Sequence, residues 1–252
     1  MSGLLNDDLA LVTGAGNGIG RATALALARE GARVILADND PARGEAACAA
    51  AGGGAAFIAC DLSDVANAGW LVREVADRHG VPSLFVHSAS PRRHERDTVF
   101  NVSDETFEAM LTVNLRSGFR LGRDLGRLMR ERGIKGRMLY VTSLHAESPR
   151  NLPHYSASKA GMTMLMKELA RALAPHGIRV NAIAPGAIAG GGFVPDPAMA
   201  KTIAMGRMGT PEDIGDMAVA LLCDRFSRYV TGTTVVVDGG IGLHNWIAPP
   251  GD

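Results

Sequence analysis

The chain has 252 residues, 46% hydrophobic and 21% charged, enough for one large α/β domain or two small ones. Lysine plus arginine equals aspartate plus glutamate at 26 each, so no net field draws nucleic acid or an anionic membrane. No apolar run approaches the roughly 20 residues of a bilayer span, and the stretch from Met1 to Asp8 lacks the basic and apolar parts of a signal peptide. Cys48, Cys60 and Cys223 are scattered, which fits reduced thiols rather than a disulfide framework, and they have no metal-ligand spacing with the histidines. A cytoplasmic location and no metal are expected.

Short apolar runs at 9–13, 33–37, 55–60, 84–88, 136–142, 178–184 and 234–237 alternate with amphipathic helical stretches, without a linker. The pattern predicts one domain over 1–252, an α/β fold with a Rossmann-type doubly wound parallel sheet of seven strands, and an irregular tail from about 246. The first run leads into Thr13-Gly-Ala-Gly-Asn-Gly-Ile-Gly20. A helix is expected over 22–28, ended by Gly31, and the second run closes on Asp38. Strand, glycine turn, helix, strand and acid in that order are what a dinucleotide site needs. Gly14 can turn tightly, Gly18 lets the backbone approach a pyrophosphate, and Gly20 lets helix and strand pack closely. Asn17 and Ile19 stand among these glycines, where free N–H groups at the helix start would face phosphates. The Asp38 carboxylate suits the adenosine ribose of NAD and would repel the 2′-phosphate of NADP, with Arg21 and Arg43 the nearby residues that would soften that choice.

After the fourth run comes Arg92-Arg-His-Glu-Arg96, where ligands sit at the carboxyl ends of such a sheet. A substrate-facing role is expected for Arg92, His94 or Glu95, against the alternative of a solvated loop. Arg116, Arg120, Arg123, Arg127 and Arg130 recur at helical spacing opposite Leu115, Leu121, Leu125, Leu128 and Met129, which is either a solvated face or a subunit contact. Ser143 follows the fifth run, with His145 and Glu147 close behind as candidates to touch a substrate. Tyr155 and Lys159 are four residues apart, one helical turn, so phenol and ammonium share a face. A phenol is a poor base at neutral pH, but a neighbouring cation favours its charged form. With a serine hydroxyl beside them, the pair suits interconversion of an alcohol and a carbonyl. Met162, Met164 and Met166 are core or seam residues on that helix. The stretch 190–208, with its glycines and prolines, is either a lid over the substrate or a static loop, and Gly242 to Ile247 would close a pocket of this chain or a neighbour's.

From about Leu9 to Gly240 the chain resembles the short-chain dehydrogenases/reductases. The likeness rests on Thr13-Gly-x-Gly-x-Gly-x-Gly20, Asp61, Asn114, Ser143, Tyr155-x-x-x-Lys159 and Pro185-Gly186. The resemblance implies Tyr155 as acid/base, Ser143 orienting the substrate oxygen, and Lys159 binding the nicotinamide ribose and acting on the phenol. It implies Asn114 holding a water that passes protons toward Lys159. It also implies Asp61 and Leu62 beside the adenine, Ala89 beside the cofactor ribose, and Pro185, Gly186 and Ile188 near the carboxamide. It implies a homotetramer built through the helices carrying the arginine stripe and Tyr155. Two departures stand out: His87-Ser-Ala-Ser90 replaces Asn-Asn-Ala-Gly, with strain if Ser90 needs positive φ, and Gly190 replaces a threonine, so backbone groups of 190–192 or a water must bond the carboxamide. The stretch from Ser143 to Lys159 is similar to that of bacterial glucose 1-dehydrogenases. The expected function is therefore NAD-dependent oxidation of a secondary alcohol, a sugar or polyol. Reduction of a 3-oxoacyl thioester and a non-catalytic NAD-sensing regulator are the competing readings.

Overall fold

The computed structural model describes residues 3–190 and 197–243. Seven parallel strands, β1 (Leu9–Thr13), β2 (Arg33–Asp38), β3 (Ala56–Ala59), β4 (Leu84–His87), β5 (Arg137–Val141), β6 (Arg179–Pro185) and β7 (Thr234–Val237), form one sheet in the order β3-β2-β1-β4-β5-β6-β7. Every expected strand is present, its ends moved by at most one residue. Side chains alternate across the pleat, and so the sheet divides two cores. Leu11, Ile35, Phe85, Met138, Tyr140 and Val180 point to one face, beneath α3 (Asn67–His79), α5 (Ser117–Glu131) and α6 (Pro153–Leu173). Val12, Val34, Leu36, Val86, Leu139 and Ile183 point to the other, beneath α1 (Gly18–Arg29), α2 (Pro41–Ala51) and α7 (Pro211–Leu222). The short helices α4 (Asp104–Met110) and α8 (Asp224–Ser227) complete the described helices.

Helix α1 begins at Gly18, four residues before the expected start. Asn17 is extended and accepts from the Gly18 N–H at 2.8 Å, so the last glycines of the loop are already helical. Helices α4 and α5 are joined through a π-helical turn, Leu111–Arg116, that a hydrophobic period of 3.6 could not announce. Beyond it Leu121, Leu125 and Met129 are buried, while Arg116, Arg123, Arg127 and Arg130 are exposed, so the stripe does line a surface. Met162 and Met166 are core, whereas Met164 is exposed. Of the expected lid, residues 191–196 lie outside the described residues, as does the tail from 244, Trp246 included. The remainder forms a 3-10 turn, Pro197–Thr202, followed by a bridge between Ile188 and Gly209.

Gly118, Gly122 and Gly126, one turn apart on α5, bring this helix onto the sheet and α6. A Cβ on Gly122 would stand 2.1 Å from Tyr140 Oη and 2.8 Å from Leu169 Cδ1. Tyr140 is fully buried and donates its hydroxyl to the Gly118 carbonyl at 2.9 Å, so it has little room to yield. Gly122→Ala should therefore destabilise the fold by about 1–3 kcal/mol in urea unfolding. Tyr140→Phe, by removing the hydroxyl, should cost less in the Gly122→Ala background than in the native one. Strict additivity would show that the overlap is not the cause.

Candidate active site

Strands β1 and β4 are neighbours, and the chain leaves β1 toward β2 on one side and β4 toward β5 on the other. The connections diverge there and open a crevice at the carboxyl ends of the strands. Its floor is backbone. A Cβ on Gly14, whose φ is +67°, would lie 2.7 Å from both Cα and N of Ala89. On Gly20 a Cβ would lie 2.0 Å from the Gly14 carbonyl oxygen. From this crevice a cleft of roughly 230 Å³ extends along Asp38, Asp61, Leu62, Ala89 and Val113. Asp38 is fixed in it: Gly16 N–H donates to Oδ2 at 2.8 Å and Asp40 N–H to Oδ1 at 3.0 Å. Each oxygen retains accepting capacity. Arg43 pairs with Asp40, Nε to Oδ2 at 3.2 Å. Gly16 was not singled out from the sequence, although a Cβ there would meet the Asp38 carboxyl carbon at 2.9 Å.

The four polar residues expected to act together, Ser143, Tyr155, Lys159 and Asn114, arrive on separate elements. Ser143 follows β5, nearly buried and extended, its Oγ accepting from the His145 N–H at 3.2 Å. The His145 ring lies 6.0 Å from that of Tyr155, which sits on the first turn of α6 behind Pro153. One turn on, Lys159 is 2% exposed. It donates to the Val141 carbonyl at 2.8 Å, with its Nζ 5.5 Å from the centre of the Tyr155 ring. Burial, and then the charge of Arg93, push the Lys159 ammonium down to about 7. Asn114 enters from the π turn, fully buried, and its Nδ2 donates to Ser158 Oγ at 2.9 Å. Ser158 in turn donates to the Tyr155 carbonyl at 2.8 Å, so Asn114 is tied to the segment between Tyr155 and Lys159. The Oδ1 of Asn114 is buried without a partner among the described residues.

The His87–Ser90 departure has a structural meaning the sequence did not disclose. His87 is fully buried, with Nε2 3.0 Å from the Asn114 carbonyl and Nδ1 2.9 Å from Thr13 Oγ1. A carbonyl only accepts, so Nε2 carries the proton and Nδ1 accepts from the threonine hydroxyl. One imidazole thus joins the end of β1 to Asn114. Ser90 is not strained: among the described residues the only non-glycine with positive φ is Asn151.

At the mouth the residues expected to face a substrate are not all placed alike. Arg92 is exposed, and it is Arg93 that lies over Tyr155, its guanidinium carbon 4.5 Å from the ring centre. The two adjacent arginines were indistinguishable by charge; the loop geometry selects the second. Glu95 pairs with Arg93 at 3.4 Å and with Arg150 at 3.3 Å. Glu147 is exposed, and the turn after Ser143 aims His145 rather than Glu147 at Tyr155. Asp61 is exposed at the far end, its Oδ1 accepting from Ser63 N–H, and Leu62 is buried. On the opposite wall Gly186 donates to the Val237 carbonyl at 3.0 Å, a Cβ there would reach Asp238 at 2.6 Å, and Ile188 stands against Gly209. Gly190 has a φ of +108°, and residues 191 and 192 lie outside the described residues.

A family model described as "Enoyl-(Acyl carrier protein) reductase" matches residues 14–242. The chain is 33% identical to a galactitol 2-dehydrogenase of Agrobacterium fabrum, over 97% of this chain and 99% of that protein. It is 36% identical to a glucose 1-dehydrogenase of Gluconobacter oxydans, over 94% of each. It is also 35% identical to the (3R)-3-hydroxyacyl-CoA dehydrogenase of Homo sapiens, over 94% and 96%. A solved short-chain type dehydrogenase/reductase from Mycobacterium marinum superposes with a TM-score of 0.85 at 30% identity, over 94% of this chain and 96% of that one. The chain belongs to the short-chain dehydrogenase/reductase family. It is an oxidoreductase that interconverts an alcohol and a carbonyl with a nicotinamide cofactor.

The residues of this dehydrogenase fit a dinucleotide. The Gly14–Ala89 contact leaves backbone where side chains would block it, the N–H groups at the start of α1 lie at the crevice, and a carboxylate with free accepting capacity lines the cleft.

The buried imidazole also makes a pH prediction. Burial, and then the Lys159 charge, lower His87 from 6.5 to about 4. Between those values the unfolded chain binds a proton that the folded protein does not, so this contribution to stability is complete above about 6.5 and is lost as pH falls toward 4. Its size is roughly 3 kcal/mol at most. Thermal unfolding should show a steeper loss over that range in the native protein than in His87→Asn. Parallel profiles would contradict the assignment.

Proposed function

We propose that this dehydrogenase uses NAD to oxidise a secondary alcohol of a sugar or polyol, with Ser143, Tyr155, Lys159 and Asn114 handling the proton. The observation that carries the reading is the buried Lys159 ammonium beside the Tyr155 ring, with Asn114 bonded to Ser158 on the same helix. In this reading Ser143 and Tyr155 hold the substrate oxygen, and Tyr155 takes its proton as the carbonyl forms. Lys159 favours the phenolate form in which Tyr155 can take that proton, and also reaches toward the nicotinamide ribose. Asn114, tied to α6 through Ser158, orients the path by which the proton leaves. The dinucleotide, when bound, supplies the hydride acceptor. Gly14, Asn17, Gly18 and Ile19 would hold its pyrophosphate, Asp38 the adenosine ribose, Asp61 and Leu62 the adenine, and Ala89, Pro185, Gly186 and Ile188 the nicotinamide end.

The sugar and polyol relatives support the substrate class. The human hydroxyacyl-CoA relative and the exposed arginines of α5 favour 3-oxoacyl thioester reduction as a second reading. For assembly we infer a homotetramer, through the face where Leu115, Phe119 and Leu165 line a cavity of roughly 340 Å³ and Met164 is exposed nearby. The cytoplasm is the inferred location, consistent with the lack of any helix long and apolar enough to cross a membrane among the described residues.

Tyr155→Phe should abolish turnover of sugar alcohols, followed by reduced-cofactor absorbance, while NAD still binds; substantial residual activity would sink the proton-transfer role. Asp38→Ala should weaken NAD and relax discrimination against NADP. Charge-assisted hydrogen bonds contribute about 1.5–3 kcal/mol, enough for tenfold or greater preference. The measurement is the ratio of kcat/KM for the two cofactors in native and variant protein, and a native preference for NADP would overturn the assignment.

A further inference from the structure

The mechanism leaves Arg93 unused, although it lies over the ring of Tyr155. The loop that follows it is tied to the segment that leads into α6. Val99 N–H donates to Asn151 Oδ1 at 3.2 Å, Asp97 stands 3.9 Å from the buried His154, and Glu95 pairs with Arg150. Glu95 lies 3.4 Å from Arg93 Nε and is shared with Arg150, so two guanidinium charges face one carboxylate. Among the described residues the carboxylate paired with Arg93 is Glu95. The planar guanidinium beside the phenol is thus only partly compensated, and its fork of donors suits a carboxylate in two parallel hydrogen bonds.

The second group at the mouth differs in kind. His145 Nδ1 lies 3.2 Å from the Ser148 carbonyl, so that nitrogen carries the proton and Nε2 is an acceptor. Its ring is held neutral by burial, and the charges of Arg93 and Arg150 act in the same direction. It therefore accepts from a hydroxyl and does not duplicate the arginine.

We propose that Arg93 binds a carboxylate of the substrate close to the reacting carbinol, so that this enzyme selects hydroxy acids, sugar acids among them, over the corresponding neutral alcohols. The inference rests on the alcohol-dehydrogenase reading and names the substrate class within it. A neutral polyol leaves the guanidinium with only the Glu95 carboxylate that it shares with Arg150, whereas a substrate carboxylate supplies a partner of its own.

The test compares matched probes: D-galactonate with galactitol, and 3-hydroxybutyrate with its methyl ester. Binding is measured by calorimetry in the presence of NADH, so that no oxidation proceeds. Each acid should bind about tenfold tighter than its neutral partner or better, as expected for a charge-assisted fork. That ratio should collapse toward one in Arg93→Gln and be partly retained in Arg93→Lys, which keeps the charge but not the fork. Thermal unfolding verifies that both variants fold. Acids that bind no tighter than their neutral partners, or a ratio unmoved by Arg93→Gln, overturn the proposal. Turnover with NAD is measured separately: selective acid binding without oxidation would count against the dehydrogenase role of these alcohols, not against the carboxylate site.

Discussion

The ammonium of Lys159 is held where water barely reaches it, and much of the site's architecture follows from what that requires. Removing a charge from water costs several kcal/mol unless polar groups replace the solvent. Here the Val141 carbonyl accepts at 2.8 Å, and the face of Tyr155 lies 5.5 Å away. To supply them, β5 must end at Val141 with its carbonyl directed to α6, and α6 must carry Tyr155 one turn before the lysine. The depressed affinity for its proton, to about 7, follows from the same burial. A cation that can release or regain a proton near neutrality is suited to stand between a phenol and a path to solvent.

The imidazole of His87 couples this region to the glycine loop. Thr13 begins that loop, Asn114 belongs to the π turn, and His87 bonds both from the end of β4. The glycine loop and the π turn that carries Asn114 therefore share a buried polar connection, fully satisfied on the histidine's side. Such networks specify geometry more than they add stability, because a wrong rotamer would strand polar atoms in the core. The loop after β4 extends the arrangement outward, its ties to α6 setting Arg93 above Tyr155.

The sheet was legible because each strand is a short apolar run flanked by turn residues, and the order of glycines and acid at β1–β2 leaves few alternatives. Tyr155 and Lys159 were legible because helical spacing converts directly into a shared face. Other features depend on distance in space rather than in sequence. The π turn that carries Asn114 inward has no periodic signature. His87 read as a loss of a family residue until its two partners, 74 and 27 residues away, were in view. Arg92 and Arg93 carry the same charge on the same loop, and only the backbone path decides which one reaches Tyr155. The glycines of α5 were present in the helical stripe but masked by the arginines between them, whose spacing drew attention to the solvent face.

The buried lysine can be observed alone, because the chain contains only Lys135, Lys159, Lys167 and Lys201. The most direct measurement is a pH titration of the four side chains by NMR of Cε-labelled lysine, with Lys159→Met to assign the signal. One resonance should titrate near pH 7, well below the 10.5 of an ordinary lysine, and it should be missing from the Lys159→Met spectrum. Four resonances titrating together above pH 10 would contradict the account, since the ammonium would then be solvated and the arrangement of β5, α6 and Tyr155 around it would have no bearing on its proton.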